Sequence, residues 1–514
     1  MKHVLIVGGG TAGWITAAYL ARTLGGKSAN GIRITVVESA DIAILGVGEG
    51  TFPTIRKTLR RIGIDEAALV RECNATFKQG AKFVHWRHTP DSQRHNHYLH
   101  SFQTTQDFGG LDLLPYWLLG VAGHDLNWDE INTPQKRVAD AHRAPKLITH
   151  DNFTAPLNYA YHIDAVKLAR FLRTVAIELG VSHVVDTIDS VALTEDGAIA
   201  SVISREHGAL TADLYIDCTG FRAQLIGAAL NIPFKSCRSI LFCDTALAVQ
   251  VPYAQVSAPI PSYTISTAHD AGWTWDIGLH ERRGVGYVYS SVHTSRQAAE
   301  STLRAYLVPQ CASADVREIR FDAGYREINW FKNCVAIGLS SGFFEPLEAT
   351  GIIFVEVAAV MLANLFPWGG ELETAARQFN AIMLKRYERA RDFIKMHYSL
   401  TERRDTQFWR DNADPASSAD SLHELLDRWR FRPPGSIDID PNVDIFTEHS
   451  WQYVLYGMGF RTDLQPKAGV FRFYDEAKQA FAEVQRQVDY ALATLPTNRE
   501  LIELARTRRF GNSA

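Results

Sequence analysis

A glycine turn between a buried strand and a helix constrains this chain more than any other feature. Val4-Leu5-Ile6-Val7 is a short continuous apolar run, the pattern of a strand covered on both faces. Gly8-x-Gly10-x-x-Gly13 follows directly, and residues 14–24 then read as a helix stopped by Gly25-Gly26. Residues 32–37 form a second apolar strand that ends at Glu38. Each part has a mechanical reason. Gly8 permits the tight turn, Gly10 lets the backbone approach a pyrophosphate, and Gly13 lets helix and strand pack closely. Thr11 and Ala12 lie in the same turn, where free N–H groups and the positive dipole end of the helix face the phosphates. Glu38 can accept hydrogen bonds from ribose hydroxyls. A glycine-rich turn in an unrelated α/β fold is the competing reading. The strand, helix, second strand and acid, each where the mechanism needs it, argue against that reading.

The rest of the chain is consistent with a large α/β body. At 514 residues it exceeds the usual size of one compact core. Asp164 can cap a helix over 165–179, stopped by Gly180. Ser182–Val185, Ile199–Ser204 and Leu214–Asp217 read as short strands, and 242–291 as an antiparallel sheet. Helices are expected over 354–365 and 373–397. The C-terminal stretch reads as helical, with a loop at Pro433-Pro434-Gly435. This predicts a dinucleotide-binding module over 1–370 with an inserted antiparallel sheet, and a mainly helical region over 371–514.

Composition closes off other classes. A formal net charge of -4 gives no electrostatic reason for a nucleic-acid partner, and Arg56, Lys57, Arg60 and Arg61 read as one solvated helix face. None of the six cysteines (Cys73, Cys218, Cys237, Cys243, Cys311 and Cys334) makes a Cys-x-x-Cys pair, so no metal site is expected and buried thiols in a reducing cytosol are. The run Val4 to Val7 is too short for a signal-peptide core, and no later stretch reads as long enough to span a bilayer. A cytoplasmic enzyme without a membrane partner is the expectation.

A second turn decides between dinucleotides. Asp217-Cys218-Thr219-Gly220-Phe221-Arg222 follows an apolar strand and resembles the second FAD-contacting turn of two-component flavoproteins. Thr219 and Gly220 there allow close backbone approach. Paired with the first turn, it favours FAD over NAD.

Further segments resemble the flavin-dependent tryptophan (indole) halogenase family. Trp273-Thr274-Trp275-Asp276-Ile277 is similar to its two-tryptophan signature, with Gly278 where members usually carry proline. Two core tryptophans on one strand face would look the same. Glu345-Pro346-Leu347-Glu348-Ala349-Thr350-Gly351-Ile352 resembles its glutamate-rich stretch, with Ala349 replacing serine. Thr76-Phe77-Lys78-Gln79-Gly80 resembles the stretch that carries its essential lysine; Lys82 is the confusable neighbour. Gly46-Val47-Gly48-Glu49-Gly50 is similar to its loop over the flavin, Gly286-Tyr287-Val288-Tyr289-Ser290-Ser291 to one of its strands, and Tyr98-Leu99-His100-Ser101-Phe102 to its indole-pocket stretch.

The resemblance implies a Rossmann-type, flavoprotein monooxygenase-like fold with an added helical substrate region. It implies FAD supplied reduced by a separate flavin reductase, with Glu49, Leu339 and Ile352 joining the flavin contacts. Chloride or bromide would bind at Thr350 and Gly351, where helix N–H groups make an anion site. Hypohalous acid would reach Lys78, as a hydrogen-bonded acid or a haloamine. Glu348 would stabilise the arenium ion and take its proton. Trp273 and Trp275 would separate substrate from flavin, and His100, Phe102 and Trp451 would line an indole pocket. Around Phe446 to Trp451 there is no tyrosine pair of the kind members use to hold free tryptophan, although Glu448 and Tyr453 are present. Bare, substituted, peptide-linked and carrier-linked indoles stay open, as do monomer and homodimer. The alternative on the same fold is an FAD-dependent aromatic monooxygenase, which needs neither Lys78 nor the tryptophan pair.

Overall fold

The parallel sheet demanded by the glycine turn runs through the centre of one of two compact units. The computed structural model describes residues 1–28, 30–41, 46, 48–106, 108–307 and 314–511; Val47 and Cys311 lie outside the described residues. The first unit comprises Met1–Ala75, Ile163–Arg238 and Phe321–Glu388. Its sheet has the strand order Trp330–Phe331, Cys334–Ala336, Leu214–Asp217, His3–Val7, Arg33–Glu38, Ser182–Val185. All neighbours are parallel except the first pair, as expected for strands joined by helical crossovers. Four of the five residues in His3–Val7 are buried, which accounts for the apolar run. The helix Thr11–Leu24 packs on helices Ala165–Glu178 and Thr350–Asn364. Asp164 caps the former as the sequence predicts, accepting from the N–H groups of Val166 and Lys167.

The second unit comprises Thr76–His162, Ser239–Arg320 and Arg389–Ala514. Its seven-stranded sheet runs Arg317–Arg320, Thr245–Pro252, Arg282–Tyr289, Gly272–Gly278, Thr264–His269, Gly80–Val84, His97–Ser101. The antiparallel sheet expected over 242–291 is its centre, with Thr245–Pro252 paired to Arg282–Tyr289. Gly80–Val84 joins Thr264–His269 in parallel and brings His97–Ser101 with it. The helix Glu448–Gly457 packs against that last strand.

Three expectations change. The compact units interleave along the chain and do not divide at residue 370. The antiparallel sheet belongs with the C-terminal helices, because Gly80–Val84 and His97–Ser101 extend it and Glu448–Gly457 packs on its edge. The window Leu347–Asn364 is, after all, long and apolar enough to cross a membrane, but 72% of it is buried in the protein: it is apolar all round because it is a core helix. That helix also starts at Thr350 rather than near Phe354. Glu348 and Ala349 take left-handed conformations that turn the chain into the helix earlier than its apolar run suggests.

Candidate active site

In the first unit the glycines do what the spacing requires. Gly8 has φ +112°, and a Cβ there would lie 2.2 Å from the Cys218 carbonyl oxygen. A Cβ on Gly13 would lie 1.9 Å from the Gly8 carbonyl oxygen, so only glycine lets the helix approach the strand. Gly10 caps the helix, and nothing stands within 4 Å of where its Cβ would be. That open space beside the helix N-terminus fits the pyrophosphate of FAD. Gly9, which the spacing alone does not single out, packs on the acid: a Cβ there would collide with the Glu38 side chain. Glu38 is also held from its other side, with His183 Nε2 at 2.8 Å and Arg173 Nη1 at 3.5 Å from its Oε1.

Asp217 organises the second turn. Its Oδ1 accepts from the Thr219 N–H at 3.0 Å and hydroxyl at 2.6 Å, and its Oδ2 from the N–H groups of Leu225 and Ile226 at 2.8 and 2.9 Å. The Thr219 hydroxyl is therefore spent inside the turn, and what Thr219 and Gly220 can offer a flavin is backbone. Gly220 has φ +69° and open space at its Cβ direction. Leu339 sits in the turn Gly338–Ser340, where a Cβ on Gly338 would come 2.8 Å from the Ala12 Cβ. Ile352 is buried on the helix that packs on Thr11–Leu24. Most of the residues predicted to hold FAD thus gather around one helix start. Glu49 is partly buried, and burial together with the Asp164 carboxylate pushes its pKa up to about 7.

The turn before the helix Thr350–Asn364 is strained. Glu348 (φ +61°) and Ala349 (φ +53°) are consecutive non-glycine residues in the left-handed region. Each such residue costs roughly 1 kcal/mol or more. Thr350 and Gly351 are the first two helical residues, whose N–H groups have no acceptor within the helix. Nothing lies within 4 Å of a Cβ built on Gly351. The arrangement suits a small anion.

In the second unit, Lys78 ends the strand Thr76–Lys78, paired antiparallel with residues 160–162. It is only 2% exposed, and its Nζ lies 5.2 Å from the centroid of the Phe102 ring. Its charge, after burial, holds His162 well below the ordinary histidine pKa, so that imidazole is neutral; its Nε2 lies 2.9 Å from Thr264 Oγ1. Lys82 differs: its Nζ donates to Asp140 at 2.8 Å.

His100 is buried within an aromatic ring of neighbours: Phe102 at 6.4 Å, Phe393 at 5.8 Å, Tyr453 at 6.2 Å and Phe446 at 6.5 Å between centroids. Sequence reading missed Phe393, which lies on a long helix whose apolar positions resemble any core stripe. Trp451 lies one ring away from His100, behind Phe393. It is fully buried, packed on Phe393, Trp429 and the Arg389 guanidinium. Phe393 thus contacts both His100 and Trp451. Trp273 and Trp275 lie on one face of the strand Gly272–Gly278, 6.5 Å apart. Trp275 pairs with Gly286, where a Cβ would come 2.1 Å from its ring; that glycine makes room for the indole.

Comparison with known proteins follows the same lines. A tryptophan halogenase family model matches residues 3–471. The chain is 35% identical to tryptophan 6-halogenase SttH of Streptomyces toxytricini over 520 residues, 97% of each chain. Its structure resembles a tryptophan halogenase from Shewanella frigidimarina with a TM-score of 0.94 and 38% identity, covering 99% of this chain and 98% of that one. A flavin-dependent tryptophan C-6 halogenase (chlorinase) from taromycin biosynthesis superposes with a TM-score of 0.91 at 34% identity, covering 99% and 100%.

Proposed function

The chain belongs to the tryptophan halogenase family, and we propose that it uses FAD, supplied reduced by a separate flavin reductase, with oxygen and chloride or bromide to halogenate an indole-like aromatic. It is an enzyme, a flavin-dependent halogenase; the FAD, the halide and the residue roles are our reading. FAD would be held by the turns at Gly8, Gly10, Thr11, Ala12 and Gly13 and at Thr219 and Gly220, with Glu38, Glu49, Leu339 and Ile352 around it. When bound and reduced it supplies the oxygen chemistry that converts halide to hypohalous acid. Thr350 and Gly351 hold the halide through backbone N–H groups.

Lys78 delivers the halogen. Either its ammonium would donate to the hypohalous oxygen, which leaves as water when the ring takes the halogen, or its neutral amine would displace that oxygen as water to form a haloamine that passes the halogen to the ring; either way the halogen faces the substrate. Glu348 offsets the positive charge of the ring intermediate and takes its proton. His100 and Phe102 orient the ring, and Trp273 and Trp275 wall the substrate chamber. Trp451 enters as support for Phe393. A cytoplasmic location is part of this reading.

The observation that carries the reading is the placement of Lys78: its Nζ is buried over the Phe102 ring, on the aromatic side of the pocket where His100 also lies. The test is mass spectrometry of a panel of indoles incubated with the enzyme, a flavin reductase and bromide or chloride. Halogenated product that depends on halide and on Lys78 is expected. Hydroxylated product formed without halide would overturn it.

A further inference from the structure

Glu356 is the only ionisable residue in the helix Thr350–Asn364. It is 2% exposed. Its Oε2 accepts from Thr58 Oγ1 at 2.7 Å, and its Oε1 from Thr54 Oγ1 at 3.4 Å. Those hydroxyls belong to the start of the helix Ile55–Ile62 and the residue that caps it. The segment leading into that helix begins at Gly50, the end of the loop read as covering the flavin. The first turn of the helix that carries Glu356 holds Thr350 and Gly351. One side chain therefore bridges the element behind the flavin loop and the element whose start is read as the halide site.

An apolar residue would pack in this helix without the cost of burying an acid. We propose that Glu356 is a positioning residue for halide use: as a neutral acid it locks the two helices together, and its ionisation weakens halide binding at the start of its own helix. This rests on the reading of Thr350 and Gly351 as the halide site.

The physics is direct. Glu356 lies six residues beyond Thr350, roughly 9 Å along the helix axis. A negative charge there, buried and poorly screened, opposes an anion held at the helix start. Burial pushes its pKa up to about 8, and the two threonine hydroxyls offset only part of that. The ionisable groups on the elements packed against it are Tyr19 and Arg22 on Thr11–Leu24, Arg56, Lys57, Arg60 and Arg61 on Ile55–Ile62, and Glu348 in the preceding turn. Arg386 reaches the same helix farther along, 3.9 Å from Met361 Sδ. Arg22, Lys57, Arg60 and Arg61 are exposed.

The test measures bromide KM and kcat between pH 6.5 and 9 with reductase, FAD and indole. Bromide-induced thermal shift of the flavin-free protein over the same range gives a second readout. In the unaltered protein the bromide KM should rise about tenfold through pH 8 while kcat changes little, and the bromide thermal shift should fade in parallel. Glu356→Gln keeps an acceptor for Thr58 but cannot ionise, so both pH dependences should disappear. Glu356→Leu removes the tie and should raise the bromide KM at every pH. If Glu356→Gln shows the same rise as the unaltered protein, or if that protein shows none, the proposal is overturned. Gly351→Val tests the underlying reading separately: a valine there fills the space beside the helix start, and an unchanged bromide KM would remove the halide site and this proposal together.

Discussion

The Lys78 ammonium rests over the Phe102 ring, its nitrogen 5.2 Å from the centroid. A cation over an aromatic face gains from the ring quadrupole, most strongly where water is excluded, as it is here. The contact also restricts where the nitrogen can point. A reagent delivered by Lys78 would meet an aromatic substrate lying along the same ring.

Lys78→Ala should abolish halogenation while leaving FAD affinity and oxidation of reduced flavin close to their original values, if the lysine acts after the flavin as proposed. Lys82→Ala serves as the control. Lys82 is partly exposed and paired with Asp140, so its loss should cost at most about 1 kcal/mol of stability. Product formation and reduced-flavin consumption, measured side by side, separate the two. An active Lys78→Ala enzyme with a dead Lys82→Ala one would mean the wrong lysine has been chosen.

Gly10→Val and Gly13→Ala should fail in different ways. Valine at position 10 meets no protein atom and instead fills the space assigned to the pyrophosphate, so the protein should fold with near-normal Tm and bind FAD at least about tenfold more weakly. Alanine at 13 meets the Gly8 carbonyl at 1.9 Å and should destabilise by about 1–3 kcal/mol. Flavin titration and thermal melts check both. Full flavin affinity in Gly10→Val would sink the assignment.

These contrasts show what was legible before the structure. The glycine turn, the parallel strands beside it and the antiparallel sheet over 242–291 are readable because strand periodicity and glycine spacing are local signals. Residues whose roles depend on distant partners are not. Gly9 is needed because Glu38 folds over it, and Phe393 matters because it meets His100 across elements far apart in sequence. Trp451 meets Phe393, the ring that also contacts His100, a link no local pattern shows. The helix Thr350–Asn364 starts four residues before its apolar run because left-handed Glu348 and Ala349 carry no propensity signal.

Glu348→Gln should lower turnover by about two orders of magnitude, the usual scale for losing a positioned acid–base group. Oxygen consumption should continue, releasing peroxide or hypohalous acid. Glu348→Gly adds a second expectation. With φ +61°, this position strains any side chain, so glycine should raise stability by about 1 kcal/mol while still removing activity. A stabilised but inactive variant separates the carboxylate's role from a structural one; wild-type product rates in Glu348→Gln would exclude it from the mechanism.

Glu49 and Glu356 each contribute a loss of stability as pH rises from about 4.5 toward 7 and 8. Glu49 and Glu356 keep their protons in the folded protein to about pH 7 and 8, whereas in the unfolded chain each loses its proton near 4.5. Between those limits the folded state binds more protons, so rising pH favours unfolding. Glu356→Gln removes its share of that slope. Its Tm should overtake that of the unaltered protein as pH increases, by an amount worth up to about 4 kcal/mol at pH 8. Parallel melting curves from pH 5 to 9 would contradict the assignment of a buried neutral acid.

Indole, or an indole without the free α-amino acid group, should be halogenated faster than free tryptophan. If Lys78, His100 and Phe102 form the reactive end of the pocket, the described residues of 446–453 offer it no tyrosine pair to grip an ammonium and a carboxylate. The stretch 446–453 supplies Phe446, stacked on Phe393 at 3.8 Å, and Trp451, enclosed in the core. Tyr453 gives its hydroxyl proton to the Gln103 carbonyl at 2.8 Å, and the Gln452 amide donates to the Pro434 carbonyl at 2.8 Å. Binding a zwitterion against such a wall leaves its charges poorly compensated, a cost that indole avoids. The electron-rich C3 of indole is also the default site of electrophilic attack, so loose orientation should give mainly C3 product. The measurement is kcat/KM for indole and for tryptophan with bromide, reduced FAD coming from a separate reductase. A clear preference for tryptophan, with substitution on its benzene ring, would show that other residues hold the amino-acid end and that the C-terminal wall has been misread.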